Sequence, residues 1–208
     1  MSDQATWDIV AAERAALAEA LAGITDAQWD TPSLCDDWTV RDGVAHMAGS
    51  ARITAGSFFP KLVTSGFSLK KVQQKDIQRE RGASPADTLA NLRSVVTSTK
   101  APPGPKTTWL GEALIHGEDV RRPLGIDHAV PIDAAVQVAD FYKGSNLVIG
   151  AKKRIAGVRL RATDADWSTG DGPEASGPVM AIVLAMTGRK VALDDLAGEG
   201  VEVLRGRD

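Results

Sequence analysis

Glu112 and His116 stand four residues apart in Gly111-Glu-Ala-Leu-Ile-His-Gly-Glu-Asp119. Within a helix that spacing puts both side chains on one face, with Cβ atoms about 6 Å apart. A carboxylate and an imidazole so placed can share one divalent cation, although an isolated pair is more often a plain surface interaction. His46 adds a third donor. It lies in the apolar, small-residue stretch Val44-Ala-His-Met-Ala48, so its ring should face the interior, where each nitrogen needs a partner. One reading is a core histidine bonded to a backbone carbonyl. The other is a neutral imidazole meeting the Glu112/His116 face across a helical bundle. Two histidines and one carboxylate form a three-ligand catalytic set for zinc, with one position open. The same set suits ferrous iron, nickel or manganese.

Other polar residues cluster near these three in sequence. Asp119, three residues after His116, can orient its ring as a hydrogen-bond acceptor; a surface carboxylate is the competing reading. Arg122 is a candidate for binding an acidic substrate group, against a salt bridge near the helix end. Trp38 and Trp109 flank the two donor segments and read by default as core. Cys35 reads as a small buried filler, and His128 as a surface loop residue.

The elements that must hold these residues are mostly helical. Trp7 to Ile24 has apolar residues at helical spacing, and Thr25 with Gln28 has capping-box spacing. Thr39 with Asp42 repeats that box and opens a long helix running towards Phe59 and Pro60. Gly43, Gly49 and Gly56 weaken it by roughly 1 kcal/mol each relative to alanine, which close helix packing would explain. From Ser65 the chain looks polar and loose. Ser84-Pro85 with Asp87 starts another helix. Further helices are expected from about Thr108 to Leu124, with Gly125 as the stop, and from Pro131 to about Val148. Beyond Gly150, Val158 to Thr163 alternates as a half-buried strand does, with Asp166 to Thr169 as its partner. Pro178 to Thr187 reads as a buried helix, and Val201 to Leu204 as a short strand or helical turn. The fold class expected is mainly α: a helical bundle over residues 1–150 and a small α+β domain over 151–208.

Composition narrows the function. The 208 residues include 43% hydrophobic and 25% charged side chains, with a net charge of −3. Basic residues are spread along the chain, which argues against a nucleic-acid surface. The longest apolar run, Val179 to Met186, is far short of the ~20 residues that span a bilayer. The start, Met-Ser-Asp-Gln, lacks the pattern of a signal peptide. The single cysteine, Cys35, can form no internal disulfide. The expectation is a cytoplasmic protein without nucleic-acid or membrane partners.

Longer motifs point to a family. Cys35-Asp-Asp-Trp-Thr-Val-Arg-Asp-Gly-Val-Ala-His46 resembles the entry to the second bundle helix of the mycothiol-dependent maleylpyruvate isomerase-like proteins, within the DinB/YfiT-like metalloprotein superfamily. Glu112-Ala-Leu-Ile-His116 followed by Asp119 and Arg122 resembles that family's second metal motif. Ala162 to Trp167, Gly170-Asp-Gly-Pro, Thr187-Gly-Arg and Leu196-Ala-Gly-Glu-Gly-Val resemble its small C-terminal domain.

The resemblance implies a DinB-like four-helix bundle with His46, Glu112 and His116 as metal residues. It also implies mycothiol, a low-molecular-weight thiol, as cosubstrate, and a small electrophile as its partner in the reaction. By family analogy Arg79 and Arg81 lie near the pocket mouth, with Arg79 a candidate substrate contact. A cation held by two neutral imidazoles and one carboxylate keeps net positive charge and favours a thiolate over a thiol. That suits an isomerase, where the thiolate adds to an activated double bond and is later eliminated, or an S-transferase, where the adduct is released. The alternatives are a non-catalytic DinB-like metal-binding protein and a metal-dependent hydrolase.

Overall fold

The structure, a computed structural model, describes residues 2–35, 37–146 and 149–207. Contacts divide the chain into two compact units, Met1–His128 and Ala129–Asp208. The first unit is all helix: α1 (Asp3–Ala20), α2 (Asp26–Trp29), α3 (Val40–Ser50), α4 (Ala55–Thr64), α5 (Leu69–Arg81), α6 (Pro85–Arg93) and α7 (Lys106–Arg121). Helix α1 touches α6 and α7, and α3 touches the same two, so these four close into a ring. Leu17, Leu21, Trp29, Val40, Val44, Met47, Leu92 and Val120 fill its core. Helix α5 lies against α3 and α6.

The helix starts follow the sequence signals. Thr39 with Asp42 and Ser84 with Asp87 both form full capping boxes, and Thr25 with Gln28 does the same for α2. Each box satisfies backbone N–H groups that the first turn cannot. Helix α7 ends in a 3₁₀ turn, Arg122–Leu124, closed by Gly125 at φ 66°. Two of the three glycines in the second segment allow close approach: a Cβ on Gly43 would lie 3.1 Å from Val120 of α7, and one on Gly49 3.1 Å from the Cβ of Asp76 of α5. Gly56 has no such neighbour within the range of tight contact.

Two expectations fail here for identifiable reasons. The long helix from Thr39 to Phe59 is instead two helices, because α3 ends at Ser50 and Thr54 with Ser57 caps a new start. The polar stretch after Ser65 is not a loop but holds α5. Its buried positions are Val72, Asp76, Ile77 and Glu80. Two of those four are carboxylates, which hid the stripe. They are tolerated because Lys61 pairs with Asp76 (2.6 Å) and Arg52 with Glu80 (3.0 Å).

The second unit contains α8 (Ile132–Lys143), α9 (Ala151–Arg154), β1 (Arg159–Ala162), β2 (Ser168–Thr169), β3 (Glu174–Gly177), α10 (Val179–Met186) and α11 (Gly200–Arg205). Contacts thus put the division between His128 and Ala129, ahead of the expected boundary at 150. The reason is α8, which buries Ala134, Ala135, Val138, Ala139 and Tyr142 and packs on α10. The expected end of that helix at Val148 lies outside the described residues.

Strand β1 pairs antiparallel with β2 (Leu160 opposite Thr169) and parallel with β3 (Leu160 opposite Ala175). Leu160 and Ala162 are buried while Arg159 and Arg161 are exposed, the alternation of a one-sided strand. Strand β3 escaped the sequence reading because Glu-Ala-Ser-Gly has no strand-forming side chain. All eight residues of α10 are buried, as its unbroken apolar run requires. Residues 201–204 resolve as helix.

Candidate metal centre

Inside the ring, α3 presents His46 and, one turn on, Ser50, both buried. Helix α7 presents Glu112, His116 and Asp119. The loop before α3 is tied down by Leu34 N–H to the Asp119 carbonyl (3.1 Å) and Ser33 N–H to the Trp38 carbonyl (2.9 Å). That loop brings Cys35 and Trp38 to the same place. The His46 and His116 rings meet edge to face, with centroids 4.9 Å apart at 82°. Trp38 covers both, 4.7 Å from His46 and 5.9 Å from His116.

The hydrogen bonds assign the roles of the ring atoms. His116 Nδ1 lies 2.8 Å from Asp119 Oδ2. A carboxylate only accepts, so Nδ1 carries a proton directed at Asp119. The Cys35 thiol donates to the same Oδ2 at 3.2 Å, and its sulfur is 3.7 Å from Nδ1. Burial works against a charged His116, but the Asp119 and Cys35 contacts outweigh it and push its pKa up to about 10. His46 behaves oppositely: burial, and then the neighbouring His116, hold it well below the ordinary histidine range. Glu112 is half-buried, and its surroundings raise its pKa despite His116, Arg14 and a hydrogen bond from Ser50. Arg14 of α1 is buried beside it and donates to the Ser98 carbonyl at 2.9 Å.

A divalent cation fits this donor chemistry. His46 is kept neutral, a cation at His116 would replace the second ring proton that its raised pKa retains, and Glu112 stands one turn before His116 on α7. Such outer support of a ligating imidazole is the usual partner of metal binding. Among the described residues, the set whose ligand atoms all lie within 4.8 Å of one another is Cys35, His116 and Asp119. Of the expected set His46, Glu112 and His116, only His116 belongs to it; among the described residues the other two are not brought within that distance, and Cys35, expected as a filler, and Asp119 stand in the cluster instead.

A cleft of about 760 Å³ is lined by Cys35, Trp38, Asp42, Lys70, Gln74 and Arg81 among others; His46, Glu112 and His116 are not in its lining. Arg81 pairs with Asp42 at 2.5 Å. Arg79 does not line this cleft; it binds Asp76 (2.7 Å) and Glu80 (2.8 Å). Arg122 donates to Glu118 at 2.9 Å, the salt bridge weighed as its other reading. Trp109 is half-buried on α7. His128 is not a plain surface residue, since its Nε2 lies 2.8 Å from Glu13. The sequence reading missed Arg14, Ser50 and Glu13. Ser50 had a signal, four residues after His46. Arg14 and Glu13 had one only in hindsight, as charges at stripe positions between Val10 and Leu17.

A ring of four helices around a histidine–carboxylate face is the DinB-like class of bundle. Within that class the assignment is definite: the chain belongs to the family of the mycothiol maleylpyruvate isomerase N-terminal domain, whose profile matches residues 10–121. Two solved structures are similar over nearly the whole chain. One is a crystal structure of the mycothiol-dependent maleylpyruvate isomerase, at TM-score 0.66 and 16% identity, covering 96% of this chain and 93% of that one. The other is a crystal structure of a histidine-to-alanine mutant of that isomerase, at TM-score 0.63 and 15% identity with the same coverage. At such identities the likeness is one of fold. Comparison with curated proteins finds no match. No helix among the described residues is long and apolar enough to cross a membrane.

Proposed function

We propose that this protein is a metal-dependent, mycothiol-using enzyme, an isomerase or S-transferase acting on a small electrophile. The observation that carries this reading is His116 held through Nδ1 by Asp119 and edge-on to a neutral, buried His46, the pair being in contact with Trp38 and Cys35, which line an open cleft. His46, Glu112 and His116 would hold the divalent cation, with zinc first among the metals that suit two imidazoles and one carboxylate. Once bound, such a cation favours the thiolate form of a sulfur brought to it near neutral pH.

The chain's own groups do the rest. Asp119 fixes the His116 ring and its tautomer. Trp38 covers the histidine pair and keeps water from that side. Arg81 and Lys70, at the cleft wall, supply positive charge for an acidic electrophile such as maleylpyruvate, a role that falls to them rather than to Arg79 or Arg122. Cys35 stays bonded to Asp119, which keeps its thiol occupied as a donor.

Elemental analysis of the purified chain, paired with assays of maleylpyruvate isomerisation and monochlorobimane conjugation, tests the reading. Stoichiometric metal and turnover that needs both metal and mycothiol are expected, and His46→Ala should lose both. Unchanged metal content and activity in His46→Ala would remove the ligand assignment. Metal without any thiol-dependent turnover would leave a binding protein, and turnover without thiol a hydrolase.

A further inference from the structure

Helix α4 differs from every other long helix of the first unit: none of its ten residues is buried. Phe59 and Val63, one turn apart, are 60% and 57% exposed, and Phe67 and Leu69 follow at 73% and 47%. Among the described residues the other strongly exposed large hydrophobics, Ile132 and Val191, lie far along the chain. Four in eleven residues is therefore a cluster, which protein surfaces rarely leave without a use. Phe67 is also held at φ 60°, a conformation bulky residues seldom adopt. Its N–H is pinned to the Leu62 carbonyl at 2.8 Å, so the turn keeps the ring in water.

Charge says what covers this face. Between Asp42 and Asp76 the sequence has no acidic residue, while Arg52, Lys61, Lys70, Lys71 and Lys75 are basic, in a chain of net charge −3. Arg52 and Lys61 are matched by Glu80 and Asp76. Among the described residues Lys70 makes a solvent-exposed contact to Asp37 at 3.7 Å, Lys71 is exposed, and Lys75 is held by neutral groups, the Thr64 carbonyl and Ser65 hydroxyl. Two copies pairing through this face about a two-fold axis would bring their lysines together, which disfavours self-association. Aromatic and aliphatic side chains rimmed by lysines suit an interfacial helix on an anionic lipid surface.

We propose that this face docks on an anionic phospholipid bilayer, with Phe59, Val63, Phe67 and Leu69 entering the headgroup–acyl boundary and Lys70, Lys71 and Lys75 meeting the headgroups. Lying on a surface needs no spanning segment, so the shortness of the apolar runs does not bear on it.

Flotation of the full chain with phosphatidylcholine vesicles, and with vesicles also containing phosphatidylglycerol, is the test. The chain should float with the mixed vesicles at low salt, fall away as salt screens the lysines, and ignore the neutral ones. The double variant Phe59→Ser/Phe67→Ser should lose about tenfold or more in partitioning, and Lys71→Glu roughly fivefold or more, both with unchanged circular dichroism. Should the double variant unfold, Lys71→Glu and the salt titration still decide. Absence of flotation with either lipid, equal flotation of the folded variants, or a dimer in sedimentation velocity that Phe59→Ser/Phe67→Ser dissolves would each overturn the proposal.

Discussion

Helix α7 carries two buried polar constellations in succession, and they are built on different terms. Along its middle it carries Glu112, His116 and Asp119, of which His116 meets the His46 ring, with burial raising one carboxyl and depressing one imidazole. At its end, Arg121 is 1% exposed and reaches across to α1, with Nη1 3.4 Å from Glu13 Oε2 and Nη2 3.3 Å from the Glu13 carbonyl. Glu13 in turn binds His128. Gly117 makes room, since a Cβ there would lie 2.8 Å from Arg121 Nη1. Both set a cation against a carboxylate, Arg121 on Glu13 and His116 on Asp119; the first differs in packing a neutral imidazole, His46, against its cation, and in touching Cys35 and Trp38 at a cleft. Burial of charge alone thus does not mark a site. What sets the first cluster apart is a neutral imidazole packed edge-on against a paired one.

That contrast can be broken experimentally. The largest effect is expected at Arg121→Met, which leaves Glu13 buried without its guanidinium and should cost about 3–5 kcal/mol in a denaturant titration. Metal content per folded chain should be unchanged. A loss of metal affinity in that variant would mean the two clusters act as one.

Asp119→Asn should do the reverse. Removing the acceptor that orients His116 should weaken metal binding about 10–100-fold in a competition titration with a chelating dye, with a smaller change in stability. Wild-type affinity in Asp119→Asn would strip Asp119 of its positioning role.

The smallest effect sharpens the comparison at the capping box of α3, whose carboxylate caps a helix and pairs with Arg81. Burial pushes the Asp42 carboxyl up, but Thr39 and the Arg81 guanidinium outweigh it and hold its pKa below the usual value. A carboxyl depressed in the folded state stabilises above its unfolded pKa and stops doing so as pH falls through its folded value. Asp42→Asn should therefore be less stable by about 1 kcal/mol at neutral pH. The gap should close as acidification passes below the ordinary carboxylate range. A gap independent of pH in thermal melts would show that the charge contributes nothing.

Local signals carried much of the fold. Thr39 with Asp42, Ser84-Pro85 with Asp87 and Gly125 placed helix starts and a stop because capping is chemistry between residues three or four apart. The Glu112/His116 pair was legible for the same reason. Helix α5 was not, because Asp76 and Glu80 occupy core positions and their compensating cations, Lys61 and Arg52, lie in other segments.

By itself, then, the sequence determined the helix caps, the buried run of α10 and the shared helix of Glu112 and His116, each set by spacing within a few turns. Only the tertiary structure decided that α1 closes the ring with charged residues at Glu13 and Arg14, and that Cys35 and Asp119 share a hydrogen bond across 84 positions. It also decided that α8 belongs with the second unit. These depend on which surfaces meet in space, and the free energy of burying a charge is fixed by a partner that no local pattern announces.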